Sequence, residues 1–423
     1  MRTLPGFRSL ALVIATLVTL LFAQGAALAD KLHLKDGRVL EGTVVREVDG
    51  YVWFQFRVGS LESQQMFKPD EIKTIEKSES KPATEAAATQ KPKDSKPAGK
   101  SGAPRAAVIS LGEADKNMVG IYFTADSLRK MIPMLEQEGV EIVVFRIKSG
   151  GGYGSELQPM VDVIDYEFKP RFRVVAWIES AISAAAMTAH IIEEIYMMPQ
   201  GQYGGCTGFR GAGDAVKGRE LEEMLFQMEK ISARGGHDPK IMRSMQIMEP
   251  LSCTIDENGE VHWYQNTSGQ HIVNAEGRVL TFNAADAVKY RFARAICSNI
   301  DELGKAMGYA EVEWVGKHIP GVPYPVSKAE QYIRDFRERS HKDSRSTQKY
   351  FMEYNQAVGI AAGLPADERG PFIGRARRAL DNIRSMISNN PNFAYMVLGV
   401  NTPEEYRRWL EQREDELRQL GRR

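Results

Sequence analysis

The sequence predicts an α/β protein built on a largely parallel sheet, and three observations carry that prediction. Apolar runs at 107–111, 119–123, 142–147, 174–178 and 195–198 have the length and composition of buried strands. Between and after them, residues 128–135, 157–164 and 221–231 place apolar side chains at helical spacing. The two flanks follow other rules, which marks them as separate modules. Alternation of strand and helix is the pattern of a sheet covered by helices.

The elements follow in chain order. Arg2 and Arg8 precede an apolar run at 10–23, and Ala27-Leu28-Ala29 offers a small-residue cleavage site before Asp30. Residues 1–29 thus read as a secretory signal peptide, with an apolar core short for a membrane span. The expectation is export to the periplasm or another extracytoplasmic space, with peripheral membrane association. Residues 30–77 alternate apolar and polar positions, punctuated by Asp36-Gly37 and Asp49-Gly50, and hold the run Tyr51-Val52-Trp53-Phe54-Gln55-Phe56. That predicts a small all-β module of SH3-like type. Residues 78–105 are mostly Lys, Ser, Pro, Ala, Thr and Glu, too polar to offset ordering entropy, and read as a disordered linker. A central domain over 106–312 carries a hairpin insertion at 249–282, signalled by Glu257-Asn258-Gly259. From 325 to 423 the pattern is helical, at 329–336, 350–358, 372–387 and 404–420, with Arg and Glu on solvated faces.

Composition excludes several classes. Fifty-five basic and 55 acidic residues cancel, so no global field draws in nucleic acid. Cys206, Cys253 and Cys297 are widely spaced and lack a Cys-Xaa-Xaa-Cys pair, so no metal site or disulfide framework is expected. There is no glycine loop followed by Lys-Ser/Thr for a nucleotide phosphate. No cofactor is expected.

The chemistry concentrates in two segments. The run at 174–178 leads into Ser180-Ala181-Ile182-Ser183-Ala184-Ala185-Ala186-Met187, a serine among very small residues at the mouth of a helix. Such a serine has unpaired backbone N–H groups beside its hydroxyl, as an acyl-transfer nucleophile needs. Alone, it would more often be a helix cap. The run at 142–147 ends in Lys148-Ser149-Gly150-Gly151-Gly152, a side-chain-free turn after a strand.

In this order the two segments resemble the ClpP/crotonase superfamily. Within it the chain is most similar to the signal-peptide-peptidase-A and NfeD-type serine proteases. Residues 147–152 stand at that family's Gly-Gly turn, and 181–187 at its Ala-Ala/Val-Ser-Ala/Gly-Gly segment. Ile195-Tyr196-Met197-Met198-Pro199, Gly204-Gly205-Cys206-Thr207-Gly208 and Leu280-Thr281-Phe282-Asn283-Ala284-Ala285-Asp286 match the segments that follow. Ala185 and Ala186 replace glycines usual after the nucleophile, and the usual glycine near Tyr290 is missing. The resemblance implies a ClpP-like domain in which Ser183 is the nucleophile. Gly151 or Gly152 and Ala184 then supply oxyanion-hole amides.

The base is less determined. ClpP-type peptidases take a histidine soon after the nucleophile, and 204–213 has none. His190 lies two turns along the serine's own helix, roughly 10 Å away, and suits a structural role better. The resemblance to the Ser–Lys branches implies a lysine after the glycine-rich segment. Lys217 is the first candidate, with Lys230 and then Lys148 behind it. Lysine becomes a base near neutral pH only when burial lowers its pKa.

The expected function is exported serine endopeptidase activity on a peptide or protein substrate, in a homo-oligomer. The alternative is an inactive ClpP-like scaffold that binds peptides or proteins in the same groove. Acyl-CoA chemistry of the crotonase kind fits poorly with export, because acyl-CoA is a cytoplasmic substrate.

Overall fold

The computed structural model describes residues 30–48, 51–58, 61–69, 71–77, 102–210, 213–400 and 402–422. The expected signal peptide and most of the expected linker lie outside them. The chain divides into two compact units, Met1–Gly99 and Lys100–Arg423.

In the first unit, β1 (Asp30–Leu34), β2 (Val39–Val48), β3 (Tyr51–Val58), β4 (Leu61–Phe67) and β5 (Ile72–Glu76) form one antiparallel sheet. The spatial order is β4-β3-β2-β1-β5. Period-two alternation sends Leu32 and Leu34 inward, where they meet Val52, Phe54 and Phe67 in a small core. The aromatic run is therefore mainly core.

The second unit holds the expected α/β layer. β6 (Arg105–Leu111) is followed by the two-residue β7 (Met118–Val119). After β8 (Ile142–Ser149) come β9 (Gly151–Gly152), β10 (Arg173–Ile182) and β11 (Glu194–Gly204). Next come the short pair β12 (Phe209–Arg210) and β13 (Asp214–Ala215). They are followed by β14 (Leu251–Ile255), β15 (Val261–Tyr264), β16 (His271–Asn274), β17 (Thr281–Asn283) and β18 (Glu313–Trp314). The main sheet runs β17-β11-β10-β8-β6-β18, parallel except where β17 meets β11. Its central strands are apolar on both faces, with Val143, Val144, Phe145, Val175, Ala176 and Trp177 all buried. The 249–282 segment is more than a hairpin: β15-β14-β16 make a three-stranded antiparallel sheet.

One expected strand is not there. In 119–123 only Val119 joins a strand, because Gly120 turns the chain at φ +85° and a helix must begin five residues later. Thr124 starts that helix, Ala125–Gln137, with a capping box: its Oγ1 accepts from Ser127 N–H at 3.1 Å, and Ser127 Oγ accepts from Thr124 N–H at 2.8 Å.

The helices after residue 325 are longer than the pattern indicated. Residues 329–336 and 350–358 belong to one helix of 36 residues, Lys328–Gly363, capped by Ser327. Gly370–Asn389 and Pro403–Arg422 follow. The long helix is fixed to β6 by buried charge: Glu330 accepts from Ser110 N–H and Oγ–H, both at 2.7 Å, and Arg337 donates to Ser110 O at 2.6 Å. Among the described residues no helix is long and apolar enough to cross a membrane.

Candidate active site

β8 and β10 are neighbours in parallel register as far as Ser149 opposite Ala181. Their carboxyl ends, and the turns that follow, therefore rise at one sheet edge, where ligands of open α/β sheets bind. Ser183 is the hinge between β10 and the helix Ala184–Ala189, with φ 55° and ψ −129°. A non-glycine residue held there stores about 1–3 kcal/mol of strain. Its neighbours pin it: Ser183 N–H donates to Gly204 O at 3.0 Å, and its carbonyl accepts from Met187 N–H at 3.0 Å. Replacing it with glycine should release the strain, raising stability by about 1–2 kcal/mol while deleting the hydroxyl. Thermal melting of Ser183→Gly checks this; a melting point at or below wild type would mean that the turn is relaxed.

Gly151 meets this hinge. With φ at +110° it already favours glycine, and a Cβ there would stand 2.6 Å from Ser183 Cβ and 3.1 Å from Ser183 Oγ. Only bare main chain fits beside that hydroxyl. Gly152 is equally constrained, since its Cβ would lie 2.3 Å from Val119 O. Gly151 N–H donates to Ser149 Oγ at 3.1 Å, and Ser149 Oγ donates to Asn117 O. Ala184 N–H is the first amide of its helix and has no intrahelical acceptor. Ser149, a buried hydroxyl that shapes the glycine turn from within, escaped the sequence reading. Its place directly before three glycines was the available signal.

The lysines are dispersed. Lys217 is solvent-exposed in the loop between β13 and the helix Arg219–Arg234. Lys230, on that helix, lies with Nζ 4.3 Å from the centre of the Phe226 ring, and burial pulls its pKa down. Lys148 pairs with Glu179 at 2.5 Å, and Arg146 binds the same carboxylate.

His190 is a structural residue. Fully buried, it places Nδ1 3.2 Å from Tyr203 Oη and packs against His237, ring centres 4.5 Å apart and planes tilted by 31°. Tyr203 passes its own hydrogen to Ala186 O at 2.7 Å, and His237 Nε2 lies 2.9 Å from Ile192 O. Desolvation, reinforced by His237, holds the His190 pKa well below the ordinary imidazole range; desolvation takes His237 down to about 4. Both are neutral in the fold and protonate on unfolding below about pH 6.5. Their stability contribution is therefore complete above pH 6.5 and is lost as pH falls toward 4. His237 alone accounts for on the order of 3 kcal/mol. Melting temperatures across pH 4–7 should fall on the acid side, and His237→Gln should flatten that slope.

Cys206 is buried with its thiol 3.7 Å from Ser183 O, and burial pushes its pKa well up, so it is a packing residue. Cys253 and Cys297 are likewise free and buried. Among the described residues, Asp256, Glu260 and His262 bring ligand atoms within 4.8 Å of one another. Asp256 and Glu260 sit on the β14–β15 turn and His262 in β15, away from the Ser183 hinge.

Beside the glycine turn lies a groove of about 1460 Å³. Met118, Gly152, Tyr153 and Phe209 form one wall; Ile387, Tyr395, Tyr406 and Leu410 from the C-terminal helices form the other. A polar clamp joins the walls. Asn390 Nδ2 donates to Gly120 O and Ile121 O, both at 3.1 Å. Asn392 Nδ2 donates to Gly120 O at 2.8 Å and to the buried Glu156 at 2.7 Å.

No family model matches the chain. Membrane protein NfeD1b of Bacillus subtilis (strain 168) is 23% identical over 172 residues, which is 40% of this chain and 35% of that protein. Solved structures with similar coordinates include two mutants of the 1510-N membrane-bound stomatin-specific protease. A Ser-to-Ala mutant is 15% identical, covers 53% of this chain and 92% of its own, and has a TM-score of 0.36. A Lys-to-Ala mutant in complex with a substrate peptide is 16% identical, with coverages of 53% and 88% and a TM-score of 0.36. The 1510-N protease specific for a stomatin homolog from Pyrococcus horikoshii gives 15%, 53%, 89% and 0.33. In the order of its strands, glycine turn and serine hinge, and in its match to NfeD1b, this chain resembles the NfeD-type ClpP-class serine proteases.

Proposed function

We propose that the chain is an exported, membrane-associated serine peptidase of the ClpP class, with 30–77 an SH3-like module and 78–105 a tether. One observation carries the reading: a strained serine hinge whose hydroxyl faces main chain that has no room for a side chain. In this mechanism Ser183 Oγ attacks the scissile carbonyl carbon, and its proton passes to a neutral lysine amine. The carbonyl oxygen becomes an oxyanion facing the amides of Gly152 and Ala184, one such donor being worth about 3–4 kcal/mol; the expected alternative donor, Gly151 N–H, is already spent on Ser149 Oγ at 3.1 Å. Collapse breaks the C–N bond, the leaving amine takes the lysine's proton, and water hydrolyses the acyl-enzyme. The substrate lies extended along β9, which among the described residues pairs only with β7 and so has a second edge to offer.

Lys217 is the proposed base, and its exposure favours the second reading, a peptide-binding scaffold that has lost the chemistry. Cleavage of a fluorogenic peptide library by wild type, Ser183→Ala and Lys217→Ala separates them. The peptidase predicts a loss of about 10²–10⁴-fold in Lys217→Ala. Full activity there hands the role to another amine, Lys230 first. Equal rates in wild type and Ser183→Ala remove the peptidase reading.

A further inference from the structure

β9 carries the Gly152 amide assigned above to the oxyanion, yet it is two residues long, and so is its neighbour β7. So short a ladder does not hold an amide still by itself; the two chain segments that leave it must do so. One leaves β7 through Gly120 and Ile121. The other leaves β9 through Tyr153, whose N–H donates to Val119 O at 3.2 Å, and reaches the buried Glu156. One side chain ties the two segments together. Asn392 Nδ2 has two hydrogens and gives one to each, to Gly120 O at 2.8 Å and to Glu156 Oε2 at 2.7 Å. Glu156 Oε1 accepts from Ala125 N–H at 2.6 Å, at the start of the helix that follows this segment. Asn390 adds its bonds to Gly120 O and Ile121 O, and its Oδ1 accepts from Asn392 N–H at 3.1 Å.

We propose that Asn392 is a positioning residue for the Gly152 amide, acting through Gly120 and Glu156 rather than on the reacting atoms. The frame has little slack. Gly152 is pressed against β7, where a Cβ would lie 2.3 Å from Val119 O. Gly120 is equally confined: at its φ of +85°, a Cβ would stand 3.3 Å from Tyr153 and 3.4 Å from Asn392 Nδ2. At the other end Ser149 Oγ donates to Asn117 O and accepts from Gly151 N–H. The 117–121 segment is thus gripped by the glycine turn at its start and by the asparagines at its finish. Both asparagines follow directly on the helix Gly370–Asn389. The C-terminal region, which carries no reacting group, thereby gains a part in the chemistry. The inference rests on the proposed function in taking Gly152 N–H as an oxyanion donor; the bracing of the turn does not depend on it.

Two substitutions in the full chain test it. Asn392→Asp keeps the shape but sets an acceptor against two acceptors; Asn392→Ala removes the donor. In each, deuterium uptake of the segment 149–153 should quicken about three- to tenfold, the worth of a hydrogen bond. On a fluorogenic peptide kcat should fall about 10- to 100-fold with KM within about twofold, because an oxyanion donor acts in the transition state. Adding Glu156→Gln to Asn392→Asp reverses the bond, the new amide donating to the new carboxylate, and should restore much of both losses. Leu417→Ala, in the core between the C-terminal helices, is the control: it should lower the melting temperature and leave uptake of 149–153 and kcat at wild-type values. Unchanged uptake in both Asn392 variants, an equal rise in Leu417→Ala, or failure of both Asn392 variants to fold would overturn the proposal, leaving Asn392 a residue of stability alone. An inactive wild type whose 149–153 segment still loosens in the Asn392 variants sinks the peptidase reading and leaves the brace standing. Unchanged uptake beside an active wild type does the reverse.

Discussion

Ser183→Ala is expected to abolish peptide cleavage, lowering the rate by at least about 10³-fold, without unfolding the protein. Alanine removes the attacking oxygen and nothing else that the hinge depends on. The backbone bonds to Gly204 and Met187 remain, and so does the Cβ that packs against Gly151. Alanine suffers the same strain at φ 55°, so the melting point should move by about 2 °C or less. Ser183→Gly should be equally inactive yet melt higher. The pair of variants separates loss of chemistry from loss of structure, because a serine needed only for folding would not give one silent and one stabilised protein. Initial rates on a fluorogenic peptide, with calorimetry on the same samples, give both readings.

Arg337→Ala is expected to cost about 3–5 kcal/mol of stability, the largest effect of any substitution away from the hinge. The guanidinium is buried; it donates to Ser110 O at 2.6 Å, to Ser110 Oγ at 3.0 Å and to Glu113 at 3.1 Å. It also offsets the charge of Glu330, a wholly buried carboxylate that desolvation pushes up from its usual pKa. Without Arg337, the cation left near Glu330 is Arg334 at 3.7 Å, and the carboxyl rises further. A raised carboxyl pKa means that stability is complete below the unfolded value and is lost as pH climbs through the folded one. The penalty of Arg337→Ala should therefore shrink toward pH 4, and Glu330→Gln should recover part of it at pH 7. Urea unfolding at the two pH values tests both statements.

The strands at 142–147, 174–178 and 195–198 were legible because burial on both faces demands unbroken apolar runs. The meeting of Gly151 with Ser183 followed from adjacent parallel strands ending in small residues. What local pattern could not give was anything decided by distant partners. Residues 119–123 are apolar because Val119, Ile121 and Phe123 are buried, but Gly120 and the Thr124 cap break the strand. The long helix looked like two, since its middle carries the polar run 341–349 and draws its stability from packing at both ends. Tyr395 and Tyr406 looked like ordinary helix residues; only tertiary folding sets them opposite Tyr153 and Gly152. Lys217 is indicated by order along the chain, and order says nothing about burial.

The pairing of β18 with β6 has a consequence for biogenesis. Arg105 and Glu313, partners across that edge, lie 208 residues apart. At translation speeds of about 5–20 residues per second, β6 waits roughly 10–40 s before its outer neighbour emerges. Throughout that interval it offers an unsaturated, water-averse ribbon to any similar ribbon nearby. A nascent polypeptide of this kind is best shielded until synthesis passes residue 314, and forms cut short before that point should clump rather than fold.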